Sequence, residues 1–278
     1  MRKMKRVLSL VLCLIMLAGV LIVGSSCSTK KAGVLRVGME CAYAPFNWTQ
    51  SDDSNGAVKI VDSESYANGY DVQMAKKIAA DMGYTIEVVK TEWDGLIPAL
   101  QSGKIDLIIA GMSVNPDRSK VVDFSSAYYN ANIVVVTMKD SPYASATSLA
   151  ELAGAKMTSQ RGTNWYDLLA QITGADILPA MDDVPSLLVA LTSGKIDAYT
   201  TDAPTAMAAS YANPDLVTLV FAEGKGLVVS QEETQVNVAV KKGSADLLKG
   251  VNAALAKISE SDRETIMKNA VAQQPLAN

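Results

Sequence analysis

The chain has 278 residues, with 25 Lys and Arg against 29 Asp and Glu and no His at all. The acidic balance argues against nucleic acid as a partner. The lack of His excludes Ser-His and Cys-His catalysis and every His-bearing metal site.

The N-terminus reads as an export signal. Arg2, Lys3, Lys5 and Arg6 precede the 17-residue apolar run Val7–Val23, and Gly24-Ser25-Ser26-Cys27 follows. A basic start, an apolar run and small residues before a Cys make a secretory signal with a lipoprotein-type cleavage site. The run resembles a bacterial lipobox, with Gly24 where Leu is usual, so Cys27 is expected to become the acylated first residue. Removing residues 1–26, which hold four basic and no acidic side chains, leaves 252 residues and takes the formal charge from −4 to −8. Cys13 leaves with the signal and Cys27 carries lipid. Cys41 is then alone, too isolated for a disulfide and expected to fill buried space.

Residues 27–33 form a tether, and Val34–Met39 reads as the first strand, ending at Glu40 and Tyr43. Thr49 to Asn68 is a polar insertion loop or small hairpin around Asp52-Asp53-Ser54-Asn55-Gly56. Apolar residues at helical spacing place a helix over Asp71–Met82 with Gly83 as its stop. Thr85–Val89 is the next strand, and Trp93 stands just ahead of a second helix. That helix ends in Leu96-Ile97-Pro98-Ala99-Leu100-Gln101-Ser102-Gly103-Lys104-Ile105-Asp106, which is echoed 91 residues later by Leu187-Leu188-Val189-Ala190-Leu191-Thr192-Ser193-Gly194-Lys195-Ile196-Asp197. Each copy reads as a helix end, a Gly suited to a left-handed C′ position and a turn into a strand, which is half of a βαβ unit. Two parallel-sheet lobes are therefore expected.

Between the copies, Tyr128–Val136 is extended and suited to cross between lobes. Lys156–Ser159 is a strand, Thr163 an N-cap, and Asn164–Ile172 a helix burying Trp165, Leu168, Leu169 and Ile172. Val236–Val240 alternates like a strand returning to the first lobe. Ala245–Ile258 is helical, and Ser261 with Glu264 is expected to form a capping box for a last helix. The lobes are expected to be 34–132 with 237–278, and 133–236. In open α/β sheets ligands sit beyond the carboxyl ends of the strands, which places Gly111, Ser113 and Arg118 of one lobe opposite Asp202 of the other. A cation facing an anion across a cleft suits an α-amino acid zwitterion.

Several motifs in order carry a resemblance: Val37-Gly38-Met39-Glu40, Tyr43-Ala44-Pro45-Phe46, Gly69-Tyr70-Asp71, Trp93–Leu100, Gly111-Met112-Ser113 with Arg118, Asp123-Phe124-Ser125 with Tyr128-Tyr129, and Ser193–Asp197 with Asp202. Together, over residues 34–272, they resemble the polar amino-acid-binding proteins of bacterial ABC importers, the family 3 extracellular solute-binding proteins. The resemblance implies a two-lobe α/β type II periplasmic-binding fold with two crossover segments and a central ligand cleft. It implies that Arg118 grips the α-carboxylate and Asp202 the α-ammonium. Gly111, Ser113 and Thr163 would add polar or backbone contacts, Tyr43 and Trp93 would flank the side chain, and Glu40 would face its distal end.

A guanidinium fork matches a carboxylate with two parallel hydrogen bonds, which Lys cannot reproduce. A carboxylate at Glu40 beside aromatic faces favours a basic ligand such as arginine, lysine or ornithine, with a neutral polar amino acid such as glutamine as the alternative. The expectation is a monomeric lipoprotein, not an enzyme and without cofactor, tethered outside the cytoplasmic membrane or in the periplasm and serving an ABC permease. Two rivals are a cyclohexadienyl-dehydratase-like enzyme on the same fold and a receptor's sensing domain. The receptor would need a signalling domain or second span that this sequence does not carry.

Overall fold

The computed structural model describes residues 33–275; the signal segment, Cys27 and nearly all of the tether lie outside the described residues. Two five-stranded sheets form the body. In the first the order is Tyr84–Lys90, Gly33–Met39, Leu107–Ile108, Gln235–Lys241 and Val122–Asn130. In the second it is Asp176–Ile177, Lys156–Thr158, Ala198–Asp202, Ile133–Met138 and Leu216–Thr218. In each sheet the first three strands are parallel, the fourth runs antiparallel to them and the fifth antiparallel to the fourth.

The parallel part of each sheet is a strand, helix, strand, helix, strand run, and the echoed stretch is its second helix-to-strand joint. In the first sheet the helix Trp93–Ser102 ends on Gly103 at φ 77°, a conformation Gly adopts without steric cost. In the second, the helix Val184–Thr192 runs out through Ser193 to Gly194 at φ 71°. The Lys104 and Lys195 N–H groups donate to the Ala99 and Ala190 carbonyls, each at 2.9 Å. Ile105 and Ile196 then plug the core, both about 2 % exposed or less. The closing Asp has a task that the pattern alone does not reveal. Asp106 accepts from the Arg36 backbone N–H at 2.9 Å, and Asp197 from the Lys156 N–H at 2.8 Å. Each carboxylate thus pins the neighbouring parallel strand, and each Asp N–H returns a bond to that same residue's carbonyl at 2.8 Å.

The chain passes between sheets twice. Val122–Asn130 and Ile133–Met138 are separated only by Ala131 and Asn132, and the return runs from Thr218 to Gln235. The two passages touch: Ala131 N–H donates to the Thr234 carbonyl at 2.7 Å, and Asn130 pairs with Gln235.

Some local expectations change. The stretch 49–68 is neither a free loop nor a lone hairpin; Asn47–Gln50, Val58–Lys59 and Tyr66–Asn68 join Ala42–Tyr43 in a four-stranded sheet beside the cleft. The helix at 164–172 is one α turn, Asn164–Asp167, continued as a 3₁₀ turn, Leu168–Gln171. The last helix is Glu260–Gln273, and its capping box is Ser259 with Asp262, not Ser261 with Glu264. Ser259 keeps an extended backbone, so its hydroxyl reaches the Asp262 N–H, whereas Ser261 already lies inside the first turn. No helix among the described residues is long and apolar enough to cross a membrane.

Candidate functional site

The site is assembled from strand ends. Leaving Gly33–Met39, the chain places Glu40 and then Cys41, whose backbone is left-handed at φ 56°. Leaving Leu107–Ile108, it places Ala110, Gly111 and Ser113. Gly111 has φ 62°, and a Cβ there would collide with the Tyr43 ring, so only Gly fits. Asn115 then caps the helix Pro116–Val121 by accepting from the Arg118 N–H at 2.8 Å, which fixes the turn that carries the guanidinium. From the second sheet, Lys156–Thr158 leads into Gln160, Gly162 and Thr163, and Ala198–Asp202 ends on the residue that caps the helix Ala203–Ala212.

Glu40, Tyr43, Trp93, Gly111, Ser113, Arg118 and Thr163 line one pocket between the sheets. Ala110, Gln160, Asn164 and Trp165 complete it. Asp202 is not in the wall. It lies behind Tyr43, whose hydroxyl donates to its Oδ2, while its Oδ1 accepts from the Thr205 N–H at 2.9 Å. The residue read as facing Arg118 directly therefore meets the pocket through a phenol, because its position as a helix cap already commits one oxygen.

Arg118 is 7 % exposed, and burial pushes its guanidinium down to about 10. Nη1 donates to the Ser113 carbonyl at 2.7 Å and Nη2 to the Gly162 carbonyl at 2.9 Å. Its Cζ stands 5.0 Å from the centre of the Trp93 ring, a cation–π contact, and Trp93 Nε1 shares the Gly162 carbonyl at 3.3 Å. Among the described residues no carboxylate forms an ion pair with Arg118. A buried cation with carbonyl partners but no anion is costly, and it is poised for one.

Glu40 is the complementary case. It is 4 % exposed, and its Oε1 accepts from Gln160 Nε2 at 2.8 Å. Burial pushes its carboxyl up to about 8, the Gln160 bond opposes that, and Glu92, Asp183 and Asp94 reinforce it by repulsion. Burial likewise holds Asp202 above the ordinary carboxylate range. Tyr43 stacks on Phe46 at 4.9 Å and tilts against Trp165 at 5.8 Å. Thr163 is buried; its hydroxyl donates to the Gln160 carbonyl at 2.7 Å and accepts from the Tyr166 N–H. Cys41 is buried with its thiol pushed up to about 12 by desolvation, which suits packing and not nucleophilic attack. Among the described residues no cluster of His, Cys, Asp and Glu is fit to hold a metal.

Ala110, Gln160, Asn164 and Trp165 are outside the set of candidates read from sequence, and Gln160 and Trp165 are the two of them with a contact to another lining residue in the opposite sheet's lobe. Gln160 follows a parallel strand just as Glu40 does, so the strand-end rule had the means to find it. Trp165 sits at a buried helical position, which reads as core; that its ring also meets Tyr43 depends on the other lobe.

The model of the bacterial extracellular solute-binding proteins, family 3, matches residues 35–270. The L-cystine-binding protein TcyJ of Escherichia coli is 31 % identical over 232 residues, 83 % of this chain and 79 % of TcyJ. The arginine-binding extracellular protein ArtP of Bacillus subtilis is 30 % identical over 247 residues, 86 % of each chain. Among solved structures, an amino acid ABC transporter substrate-binding protein from Streptococcus pneumoniae bound to L-arginine aligns with a TM-score of 0.75 at 28 % identity, covering 86 % of this chain and 94 % of that one. With a two-lobe α/β architecture, a pocket built from strand ends of both sheets and a family match over nearly the whole described chain, this protein belongs to the bacterial extracellular solute-binding proteins, family 3.

Proposed function

We propose that this protein captures a free α-amino acid outside the cytoplasm and delivers it to the permease of an ABC importer, anchored to the membrane through lipid on Cys27. The observation that carries the reading is Arg118, a buried guanidinium held in place by two backbone carbonyls and, among the described residues, in ion pair with no carboxylate. Two of its five N–H donors are used by those carbonyls, which leaves a face for a ligand carboxylate. In this reading Asp202, with the Tyr43 hydroxyl, receives the α-ammonium. Gly111, Ser113 and Thr163 line the α-carbon end, and Trp93 and Tyr43 flank the side chain. The lobes 34–132 with 237–278, and 133–236, close on the ligand.

The side chain we propose is basic: arginine, lysine or ornithine. Glu40 lines the pocket, buried, with no cationic partner among the described residues and under repulsion from three further carboxylates. A ligand cation relieves that whole cluster. A second reading, a neutral polar ligand such as glutamine, is favoured by the bond Glu40 already accepts from the Gln160 amide.

A thermal-shift screen decides among them. The protein, unfolded and refolded to remove carried-over ligand, is tested against the twenty amino acids, ornithine, cystine and prephenate; a ligand of the native state raises the melting temperature once its concentration exceeds Kd. The expected result is a shift with arginine, lysine or ornithine. A shift with glutamine or cystine alone keeps the importer and removes Glu40's role as cation acceptor. A response to prephenate alone overturns the reading in favour of an enzyme.

A further inference from the structure

We infer that Asp71 is a positioning residue for the pocket: one buried carboxylate ties the loop carrying Glu40 to the loop carrying Gly111 and so fixes both walls together. The inference rests on the reading above only in taking those loops as the ligand-binding walls.

Asp71 is the second residue of the helix Tyr70–Asp81 and is fully buried. It does not line the pocket and has no cationic partner among the described ion pairs. Its Oδ2 accepts from Asn47 Nδ2 at 2.8 Å, and the Asn47 Oδ1 accepts from the Cys41 N–H at 2.7 Å. Its Oδ1 accepts from the Tyr128 hydroxyl at 2.6 Å, and that hydroxyl in turn accepts from the Gly111 N–H at 3.1 Å. Cys41 and Gly111 are equivalent places. Each follows a strand of the same parallel pair, each has a left-handed backbone, and each N–H points away from the sheet ladder. Both displaced N–H groups are caught by a side chain whose orientation the same carboxylate dictates.

The residue type is specific to this task. Only a group that accepts at both oxygens can receive from an amide NH₂ and a phenol O–H at once; an Asn at 71 would set a donor against a donor. The surroundings serve the same end. Gly69, at φ 124°, has no room for a Cβ beside the Phe46 carbonyl, which lets the Asp71 N–H reach that carbonyl at 2.8 Å. The Tyr70 hydroxyl donates to the Tyr128 carbonyl at 2.9 Å. The Gly69-Tyr70-Asp71 run thereby acts as one clamp on Asn47 and Tyr128. Burial pushes the Asp71 carboxyl up to about 7, with repulsion from Asp202 adding to it, against the pull of Tyr128, Asn47 and the Gly111 N–H.

The test compares the full chain with Asp71→Asn, Tyr128→Phe and the double variant. Amide exchange by NMR on the ligand-free protein is the first readout. Asp71→Asn is expected to accelerate Gly111 and Cys41 relative to the strand Ala198–Asp202, and Tyr128→Phe, which removes one hydroxyl, to accelerate Gly111 alone. Calorimetric titration with L-arginine, L-glutamine and L-cystine is the second. Asp71→Asn is expected to weaken whichever binds by about tenfold, the scale of one charge-assisted hydrogen bond, with the ranking kept. The double variant is expected to lose less than the two singles combined, as residues in one network do. Unchanged exchange at Gly111 in Tyr128→Phe, acceleration spread equally to Ala198–Asp202, or additive losses would each overturn the assignment. If the unaltered protein responds to no amino acid in the thermal-shift screen, the functional reading fails, and the exchange comparison still decides the role of Asp71.

Discussion

Arg118 and Glu40 present opposite charges with the same problem, burial without a counter-ion among the described residues, and they solve it differently. The guanidinium stays charged, because even at about 10 it is protonated at neutral pH. It is steadied by the Ser113 and Gly162 carbonyls and the Trp93 ring. Arg118→Lys keeps the charge but loses the planar fork, so all ligands are expected to weaken alike by roughly 1.5–3 kcal/mol, as measured by calorimetry. Glu40 instead takes up a proton. Its carboxyl at about 8 lies above the ordinary 4.5, so between those values the folded protein holds a proton that the unfolded chain has released. Stability of the ligand-free protein is therefore expected to fall as pH rises from 4.5 to 8 and to level off beyond; urea unfolding of Glu40→Gln is expected to show a shallower fall. A basic ligand favours the ionised carboxylate and expels the proton. Its affinity should then rise between pH 6 and 8, by at most about tenfold per unit, while a neutral ligand and the Glu40→Gln protein show a flat profile.

At the scale of elements, the repeated joint gives each lobe its scaffold. The two Asp residues that end the echo stitch neighbouring parallel strands by the same bond, Asp106 to the Arg36 N–H and Asp197 to the Lys156 N–H. Asp197→Ala leaves that strand N–H without its partner and is expected to cost about 1–2 kcal/mol in urea unfolding. Asp106→Ala should cost a similar amount. Its extra contacts with the Arg36 guanidinium add little, since both side chains are about a third exposed or more. The repetition was legible in sequence because a helix end, a left-handed Gly and a strand start are local events governed by backbone sterics and propensity. The tie from Asp106 to Arg36 was not, since it spans 70 residues and leaves no periodic trace. The misplaced capping box has a related cause. Ser259 and Ser261 both stand three residues before an acid, and only the path of the chain out of Leu255 decides which one keeps an extended backbone.

For the whole molecule, the decisive feature is that the two sheets are joined at one edge by two passages bonded to each other, Ala131 N–H to the Thr234 carbonyl. Across the opposite side, contacts such as Arg118 to the Gly162 carbonyl and Glu40 to Gln160 bridge the lobes through site residues. Rotation about the passages must break these contacts, together with the bond from Gln274 to the Ala208 carbonyl at 3.1 Å and the packing of Val184 on the core of the first lobe. X-ray scattering of the refolded protein is expected to show a smaller radius of gyration on adding the ligand found by thermal shift; no change would mean the lobes do not move on binding.

By itself the sequence determined the paired βαβ halves and the strand ends at which polar residues collect, because each is written in contiguous residues by backbone conformation and helix capping. Seven of the eight candidate residues line one pocket for that reason. The tertiary structure alone decided that Asp202 meets this pocket through the Tyr43 hydroxyl, that Gln160 and Trp165 belong to it, and that Asp71 commands two of its walls. Those relations depend on hydrogen bonds between side chains dozens to more than a hundred residues apart, whose partners are set by how the sheets pack and not by any spacing along the chain.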